Sequence, residues 1–337
     1  MMFKFSVIIP NYNHAPFLEE RINSVLRQTY SNFELIILDD CSTDGSREII
    51  EGYRNNPVVS HIVFNDTNSG SPFLQWQKGL LLAKGEWIWI AESDDMAEPS
   101  FLEEAANAFS SFPSAGIFYC NGIIRDESNP TISKTFAEAK NKLFLTQKWN
   151  ASHFVNGQSE LNEYLKYDNT INNVSGVAFQ KKFFTHVGTD FAKLRYYGDW
   201  YLYLQMSTIT DIYYCNTPLN IYRKHKASLL NSPTSSITSR KDYFRILQLL
   251  YYSELVTNKK ELLDHFCYHF LNIGFFTHSI TNSWKIAMAY MQIDRKLAIK
   301  VLPRLALAKL FRKRYLKYKV KDIEYIETET ALPGRDS

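Results

Sequence analysis

Trp87-Ile88-Trp89-Ile90-Ala91 runs without a polar side chain except at the indole nitrogens and stops at Glu92-Ser93-Asp94-Asp95. A second apolar run, Leu35-Ile36-Ile37-Leu38, stops at Asp39-Asp40, and a third, Val7-Ile8-Ile9, at Pro10-Asn11-Tyr12-Asn13. Short apolar runs of this kind, bounded by turn residues, read as strands buried on both faces. In an open parallel sheet the carboxyl ends of the strands form the ligand crevice. Carboxylates gathered there repel one another unless a cation or a ligand donor joins them. The chain is therefore expected to hold a metal and something polar above a sheet.

Working outward from these runs, strands and helices alternate. Strands are expected at Phe5–Pro10, Glu34–Asp39, Val58–Phe64, Glu86–Ala91 and Ala115–Cys120. Helices are expected at Pro16–Gln28, Thr43–Tyr53 (entered through Ser42 as N-cap), Phe73–Ala83 and Pro99–Phe109. This alternation means βαβ units and an α/β fold with a mostly parallel sheet. Regularity fades after Asp126. Val174–Gln180 and Asp211–Tyr214 read as strands and Asp199–Ser207 as a helix. Asn231–Ser239 is rich in Ser, Thr and Pro and reads as a linker. Beyond it, Arg240–Val256, Lys260–Thr277 and Ser283–Tyr318 have helical periodicity, with Pro303 expected to kink or interrupt the last. The organisation that follows is a domain over 1–230, with a ligand-binding half at about 1–120 and a second half at about 121–230, then a helical C-terminal extension over 231–337.

The four cysteines are far apart and show no metal-ligand spacing, which fits reduced thiols in a cytoplasmic protein. No secretory leader is expected, because the apolar stretch at Phe5–Pro10 is too short. Eleven Lys/Arg and no Asp/Glu lie between Arg295 and Lys321, so a chain of net charge +3 has a net acidic body. An acidic body argues against nucleic acid as a partner. The basic tail, with Leu297, Val301, Leu305, Leu310, Phe311 and Leu316 interleaved, permits shallow contact with anionic lipid at the inner face of the cell membrane.

The three strand ends should share one rim. A tyrosine there can stack on a base, a carboxylate can accept from a base N–H, and acids opposite can hold a hard cation through oxygen. Together they describe a site for a nucleotide-diphosphate ligand that uses a divalent metal. The motifs Ser6-Val7-Ile8-Ile9-Pro10-Asn11-Tyr12-Asn13, Ser24-Val25-Leu26-Arg27-Gln28-Thr29-Tyr30, Leu38-Asp39-Asp40-Cys41-Ser42-Thr43-Asp44-Gly45-Ser46, Asn68-Ser69-Gly70, Ala83-Lys84-Gly85-Glu86-Trp87 and Glu92-Ser93-Asp94-Asp95 occur in that order. In sequence and order they resemble family 2 glycosyltransferases of the GT-A fold, densely over about 5–120 and sparsely to about 230.

That resemblance implies an open, mostly parallel mixed sheet flanked by helices, and roles at matching positions. Pro10 and Tyr12 correspond to donor-base contacts, and Asp40, with Asp39 beside it, to the carboxylate that pairs with the base. Glu92-Ser93-Asp94 occupies the family's Asp-x-Asp place, with Asp94 as metal ligand and Glu92 as the sugar-side or ribose-side acid. Asp95 either supports its neighbours or reaches the donor sugar. Where many members carry Arg, the chain has Gln75-Trp76-Gln77-Lys78, so Lys78 is the substitute cation. Asn172-Asn173-Val174-Ser175-Gly176 resembles the acceptor-side segment, which places Ser175 and Gly176 there, with Trp200. Gly198-Asp199-Trp200 resembles the acid–aromatic motif that carries the catalytic base, here Asp199, although Gly198 stands where an acid is common. His225, in Tyr222-Arg223-Lys224-His225, resembles a residue that completes the metal or diphosphate site.

The implied activity is inverting transfer of a sugar from a nucleotide-diphosphate donor, UDP-linked by resemblance, to a hydroxyl on a glycan or lipid-linked glycan. Surface polysaccharide or glycolipid assembly is the setting, with Mn²⁺ or Mg²⁺ as cofactor. The alternative is a sugar-nucleotide-binding or scaffold protein with a decayed site. Structural explanations also exist for single residues. Asp94 and Asp95 precede a helix and would stabilise its dipole, and Asp199 would serve as an N-cap. A dehydrogenase is excluded because no Gly-x-Gly-x-x-Gly follows the first strand. A phosphohydrolase would need a nucleophilic Asp at that strand's end, and a sugar nucleotidyltransferase a Gly-rich first loop.

Overall fold

A computed structural model describes residues 4–127, 133–225, 237–254, 256–272 and 280–310. The elements run β1 (Phe5–Asn11), α1 (Ala15–Leu26), β2 (Phe33–Asp39), α2 (Ser46–Glu51), β3 (Val59–Phe64), α3 (Pro72–Leu82), β4 (Trp87–Ile90), β5 (Met96–Ala97), α4 (Phe101–Ser111) and β6 (Ala115–Asp126). They continue through β7 (Ser133–Thr135), α5 (Phe136–Phe144), β8 (His153–Val155), α6 (Gly157–Glu160), β9 (Val177–Gln180), α7 (Lys182–Val187), α8 (Gly198–Met206) and β10 (Asp211–Lys224). Four helices follow: α9 (Ile237–Tyr252), α10 (Lys259–Asn272), α11 (Ile280–Ile293) and α12 (Arg295–Leu310).

One mixed sheet has the order β3-β2-β1-β4-β9-β6-β10-β5, with β7 and β8 pairing at its side. β3, β2, β1 and β4 are parallel, β9 is antiparallel between β4 and β6, and β10 runs parallel to β6. The apolar runs are explained by burial on both faces. On β1, Phe5, Val7 and Ile9 face one apolar core with α1 and α4, while Ile8 faces the other with α3. On β4, Trp87 and Trp89 take the first core and Ile88 and Ile90 the second. The register aligns Pro10 with Leu38 and Asn11 with Asp39, so the polar ends of β1 and β2 finish together. The expected open mixed sheet flanked by helices is the observed architecture.

Several local expectations change. Ser42 does not cap α2. That helix begins four residues later, behind Gly45 at φ +89°. Ser42 instead accepts from the Asn13 amide at 2.9 Å and donates its own amide to Asp39 at 2.9 Å, which ties the β2 end to the β1 end. Val174–Gly176 is a 3₁₀ turn, not strand. β10 continues ten residues past Tyr214 because register shifts around Cys215 and Pro218 absorb Asn216-Thr217-Pro218 without ending it. The helical run expected over Ser283–Tyr318 breaks at Asp294, whose carboxylate accepts from the Leu297 amide at 2.9 Å and starts α12. Pro303 lies within α12, which continues to Leu310.

Leu297, Val301 and Leu305 are buried in the second core, so these side chains pack inward and are not available to lipid. Residues 311–337, including Phe311 and Leu316, fall outside the described residues, as do 226–236; of the expected linker Asn231–Ser239, the described part, from Ile237, is already helical in α9. Tyr203 and Trp200 share one core with Tyr243, Phe244, Leu262 and Tyr290, so the second half of the domain and the helical extension bury their apolar faces against each other. Among the described residues no helix is long and apolar enough to cross a membrane.

Candidate active site

A cavity of about 460 Å³ opens above the carboxyl ends of β1, β2 and β4. Pro10, Tyr12, Asp40, Glu92, Ser93, Asp94, Asp95 and Asp199 all line it. Tyr12 is 48% exposed, so its ring face is available to a planar ligand. Asp40 is buried and accepts from Asn65 Nδ2 at 2.6 Å, the Ser69 amide at 2.9 Å, Ser69 Oγ at 2.7 Å and Gln75 Nε2 at 2.9 Å. Three of these reach Oδ1, and among the described residues Oδ2 accepts from Ser69 Oγ alone, so lone-pair capacity remains at Oδ2.

Asp39, Lys78, Ser175, Gly176 and Trp200 do not line the cavity. Alternation along β2 turns Asp39 the other way, where it accepts from Asn11 Nδ2 at 2.8 Å and pairs with Arg47 at 3.4 Å. Lys78 donates to Asn65 Oδ1 at 2.5 Å and so reaches Asp40 only through that amide. Ser175 is buried behind the acidic turn. Its hydroxyl accepts from the Glu92 amide at 3.2 Å and its carbonyl from Trp89 Nε1 at 2.8 Å. Gly176 packs where a Cβ would stand 3.2 Å from Cys120 Sγ. Trp200 is buried and donates to the Leu165 carbonyl at 2.7 Å.

The acidic turn after β4 is held from several sides. β5 pairs antiparallel with β10, so the end of β10 passes beside Asp94 and Asp95. His225 Nε2 thereby lies 3.1 Å from Asp94 Oδ2 across 131 residues of sequence. Burial would raise the Asp94 carboxyl, but the hydrogen bond from His225 and the nearby imidazoles outweigh it and hold it below its ordinary value. Glu92 accepts from Trp76 Nε1 at 2.7 Å. Burial and then the charge of Asp94 push its pKa up to about 8. Asp95 accepts from Asn173 Nδ2 at 2.6 Å and from the Arg223 amide at 3.1 Å, and burial with Asp94 raises it to about 7. One anion is thus favoured at Asp94, with its neighbours partly protonated near neutrality.

His14 is a residue the sequence reading missed. Its Nδ1 lies 2.8 Å from Ser93 Oγ, and burial lowers its pKa, which favours the neutral, ligating form. His14, Asp94 and His225 each offer one ligand atom, all within 4.8 Å of one another. A carboxylate oxygen with two imidazole nitrogens suits a divalent transition ion better than Mg²⁺, which prefers oxygen in strict octahedral geometry. The donor set therefore fits a divalent transition ion. The bond to Ser93 Oγ fixes the orientation of the His14 ring. The only sequence signal for His14 was its place just past a strand end, and a lone histidine there is usually unremarkable.

Arg21 was also missed. It is wholly buried on α1, 5.1 Å above the Trp89 ring, with no hydrogen-bond partner among the described residues at any guanidinium nitrogen. Burial lowers its pKa to about 10, which still leaves it charged, and Asp95, Asp94 and Glu92 favour that charge. It is a counter-charge beneath the carboxylates.

On the opposite wall, Asp199 opens α8 and accepts from Asn169 Nδ2 at 2.8 Å. Burial raises its pKa to about 6, against the opposing pull of the Trp200 amide and Asn169. Gly198 has a steric reason: a Cβ there would lie 2.7 Å from the Phe191 carbonyl oxygen and from the Phe73 ring, so no acid fits. Gln75, Trp76, Asn173, Arg195, Tyr196 and Tyr222 also line the cavity.

The sequence profile described as glycosyl transferase family 2 matches residues 6–184, more than half of the chain. Poly(ribitol-phosphate) β-N-acetylglucosaminyltransferase TarS of Staphylococcus aureus is 40% identical over 109 residues, 31% of this chain and 18% of TarS. The putative teichuronic acid biosynthesis glycosyltransferase TuaG of Bacillus subtilis is 38% identical over 99 residues, 29% of this chain and 39% of TuaG. The matched stretch thus spans well under half the length of either relative. The crystal structure of S. aureus TarS 1–349 in complex with UDP-GlcNAc superposes with TM-score 0.63 at 19% identity, covering 88% of this chain and 83% of that one. At that identity the likeness establishes the fold, which is of the GT-A type.

Proposed function

The chain belongs to glycosyl transferase family 2, and from that premise we propose that it transfers a sugar, with inversion, from a UDP-sugar to a hydroxyl of a surface glycan or lipid-linked glycan. The observation that carries the reading is convergence: Tyr12, Asp40 and Asp94, from the turns after β1, β2 and β4, and Asp199, from the start of α8, line one cavity. Its volume falls in the range of roughly 300–1,000 Å³ usual for small-molecule sites. The relatives support the donor class, because TarS is described as a β-N-acetylglucosaminyltransferase and was crystallised with UDP-GlcNAc. They support the setting too, since TuaG is described as a teichuronic acid biosynthesis enzyme.

In this reading the Tyr12 ring stacks on the base and Asp40 Oδ2 accepts from its N–H. Pro10 borders the same end. Asp94, His225 and His14 hold a divalent ion, Mn²⁺ being the better fit. Such an ion, when bound, stabilises negative charge on the departing diphosphate. Glu92 and Asp95 face the sugar and ribose side. Asp199 takes the proton of the acceptor hydroxyl at its carboxylate as the acceptor oxygen bonds the anomeric carbon and the bond from that carbon to the diphosphate oxygen breaks. Attack from the face opposite the leaving group inverts the anomeric centre. Ser175 supports the Glu92 amide, Trp200 anchors α8, and Lys78 steadies Asn65 behind Asp40.

The test is UDP release from a panel of UDP-sugars with Mn²⁺, in wild type and Asp94→Ala. The expectation is turnover of at least one donor by wild type and a loss of about a hundredfold or more in the variant, as several kcal/mol of charge stabilisation implies. A metal-independent signal that the substitution leaves unchanged would favour a binding or scaffold protein instead.

A further inference from the structure

The chain segments that aim Asp199 are held from the helical extension. Asp242, buried on α9, accepts with one carboxylate oxygen from the Arg195 amide at 2.6 Å and the Tyr196 amide at 3.0 Å. Ser239, one turn earlier on the same face, bonds the Tyr197 hydroxyl at 3.1 Å. The Tyr243 ring sits 5.9 Å from Tyr197 and 5.6 Å from Trp200, and Arg245 donates to the Lys193 carbonyl at 3.1 Å. One face of α9 thus grips the stretch from Lys193 to Trp200, which includes Arg195, Tyr196 and Asp199 of the cavity wall.

α10 holds the other support of Asp199. His265 Nε2 lies 3.1 Å from the Tyr167 carbonyl, and the Tyr167 hydroxyl bonds Glu261. Two residues further on, Asn169 donates to Asp199. A carboxylate is costly to bury unless hydrogen bonds or a paired charge offset its lost hydration. One Asp242 oxygen accepts from two consecutive amides at the cavity.

We infer that Asp242 is a positioning residue: through the Arg195 and Tyr196 amides it sets the entry of the chain into α8 and so the aim of the Asp199 carboxylate. The helical extension is then part of the acceptor-side machinery. The inference rests on the reading of Asp199 as the base.

The experiment uses the full chain with Asp242→Ala and Asp242→Asn. Amide hydrogen exchange over residues 193–200 needs no donor. Exchange should accelerate in Asp242→Ala and stay near wild type in Asp242→Asn, whose amide oxygen still accepts from both N–H groups. With UDP-N-acetylglucosamine and Mn²⁺ as probe, Asp242→Ala should lower kcat for UDP release about 10- to 100-fold, as a small misplacement does. Donor KM should stay within about twofold, since the uridine end is not touched. Asp242→Asn should recover most of kcat. Unchanged exchange in Asp242→Ala overturns the inference, as does a joint collapse of kcat and KM or an Asn variant no better than Ala. Should Asp242→Ala not fold, Tyr197→Phe, which removes only the bond to Ser239, carries the same split at smaller size. Asp199→Asn separates the two readings: wild-type UDP release in that variant refutes the base assignment, while the exchange result still decides what Asp242 holds.

Discussion

Three carboxylates within four residues, Glu92, Asp94 and Asp95, do not behave alike, and position explains the difference. Only Asp94 has an imidazole on its carboxylate, and only Asp94 falls below its ordinary pKa, while burial and repulsion from Asp94 raise the other two. Asp199, on the far wall, is raised to about 6 by burial. A base works only when ionised, so in the role proposed for Asp199 a raised pKa removes activity as pH falls through about 6 and leaves it level above. The kcat profile for UDP release should therefore have an acid limb centred near pH 6, not near the ordinary carboxylate value of about 4. Asp199→Asn should cost about 10²- to 10⁴-fold and abolish that limb. A limb that survives in the residual activity of the variant would assign it to another group.

At the scale of elements, the ends of β1, β2 and β4 align because side-chain–backbone bonds fix one connection against the next. Ser6 Oγ donates to Glu34 at 2.6 Å and accepts from the Gly85 amide at 2.7 Å, while the Lys84 amide reaches the same glutamate at 2.6 Å. This joins the entry of β4 to β1 and β2. Gly85 is required there, since a Cβ would lie 2.6 Å from the backbone of Phe5 and Ser6 and 2.8 Å from the Lys4 carbonyl. Gly85→Ala should cost about 1–3 kcal/mol, read as a melting temperature lower by a few degrees. An unchanged melting temperature would show that the strands yield at little cost. These elements were legible in the sequence because period and burial coincide: a run apolar at every position is a strand covered on both faces. β10 was legible only as far as Tyr214, because Asn216-Thr217-Pro218 looks like a terminator and is in fact absorbed by a bulge. The site divided in the same way. Tyr12, Asp40 and Asp94 could be placed because strand ends point at the crevice, and Asp199 through the resemblance carried by Gly198-Asp199-Trp200. Asp39, Ser175 and Trp200 are neighbours in sequence whose side chains face away, and one-residue alternation is not visible from a motif. His14 and Arg21 act through distant partners, which spacing cannot reveal.

At the scale of the molecule, the cavity joins two walls with different supports. The wall with Tyr12, Asp40 and Asp94 rests on the parallel half of the sheet. The wall with Asp199 rests on α8, whose core residues are shared with α9, α10 and α11. The proposal that Asp94, His225 and His14 bind an ion that in turn binds a nucleotide diphosphate makes a thermodynamic demand: the two ligands must strengthen each other by the same factor. Calorimetric titration of UDP into the full chain, with and without Mn²⁺, in wild type and Asp94→Ala, measures that coupling. Mn²⁺ should tighten UDP binding to wild type by about tenfold or more, a coupling of roughly 1.4 kcal/mol, and Asp94→Ala should remove this gain. UDP binding that is equal with and without Mn²⁺, and equal in wild type and Asp94→Ala, would contradict that proposal.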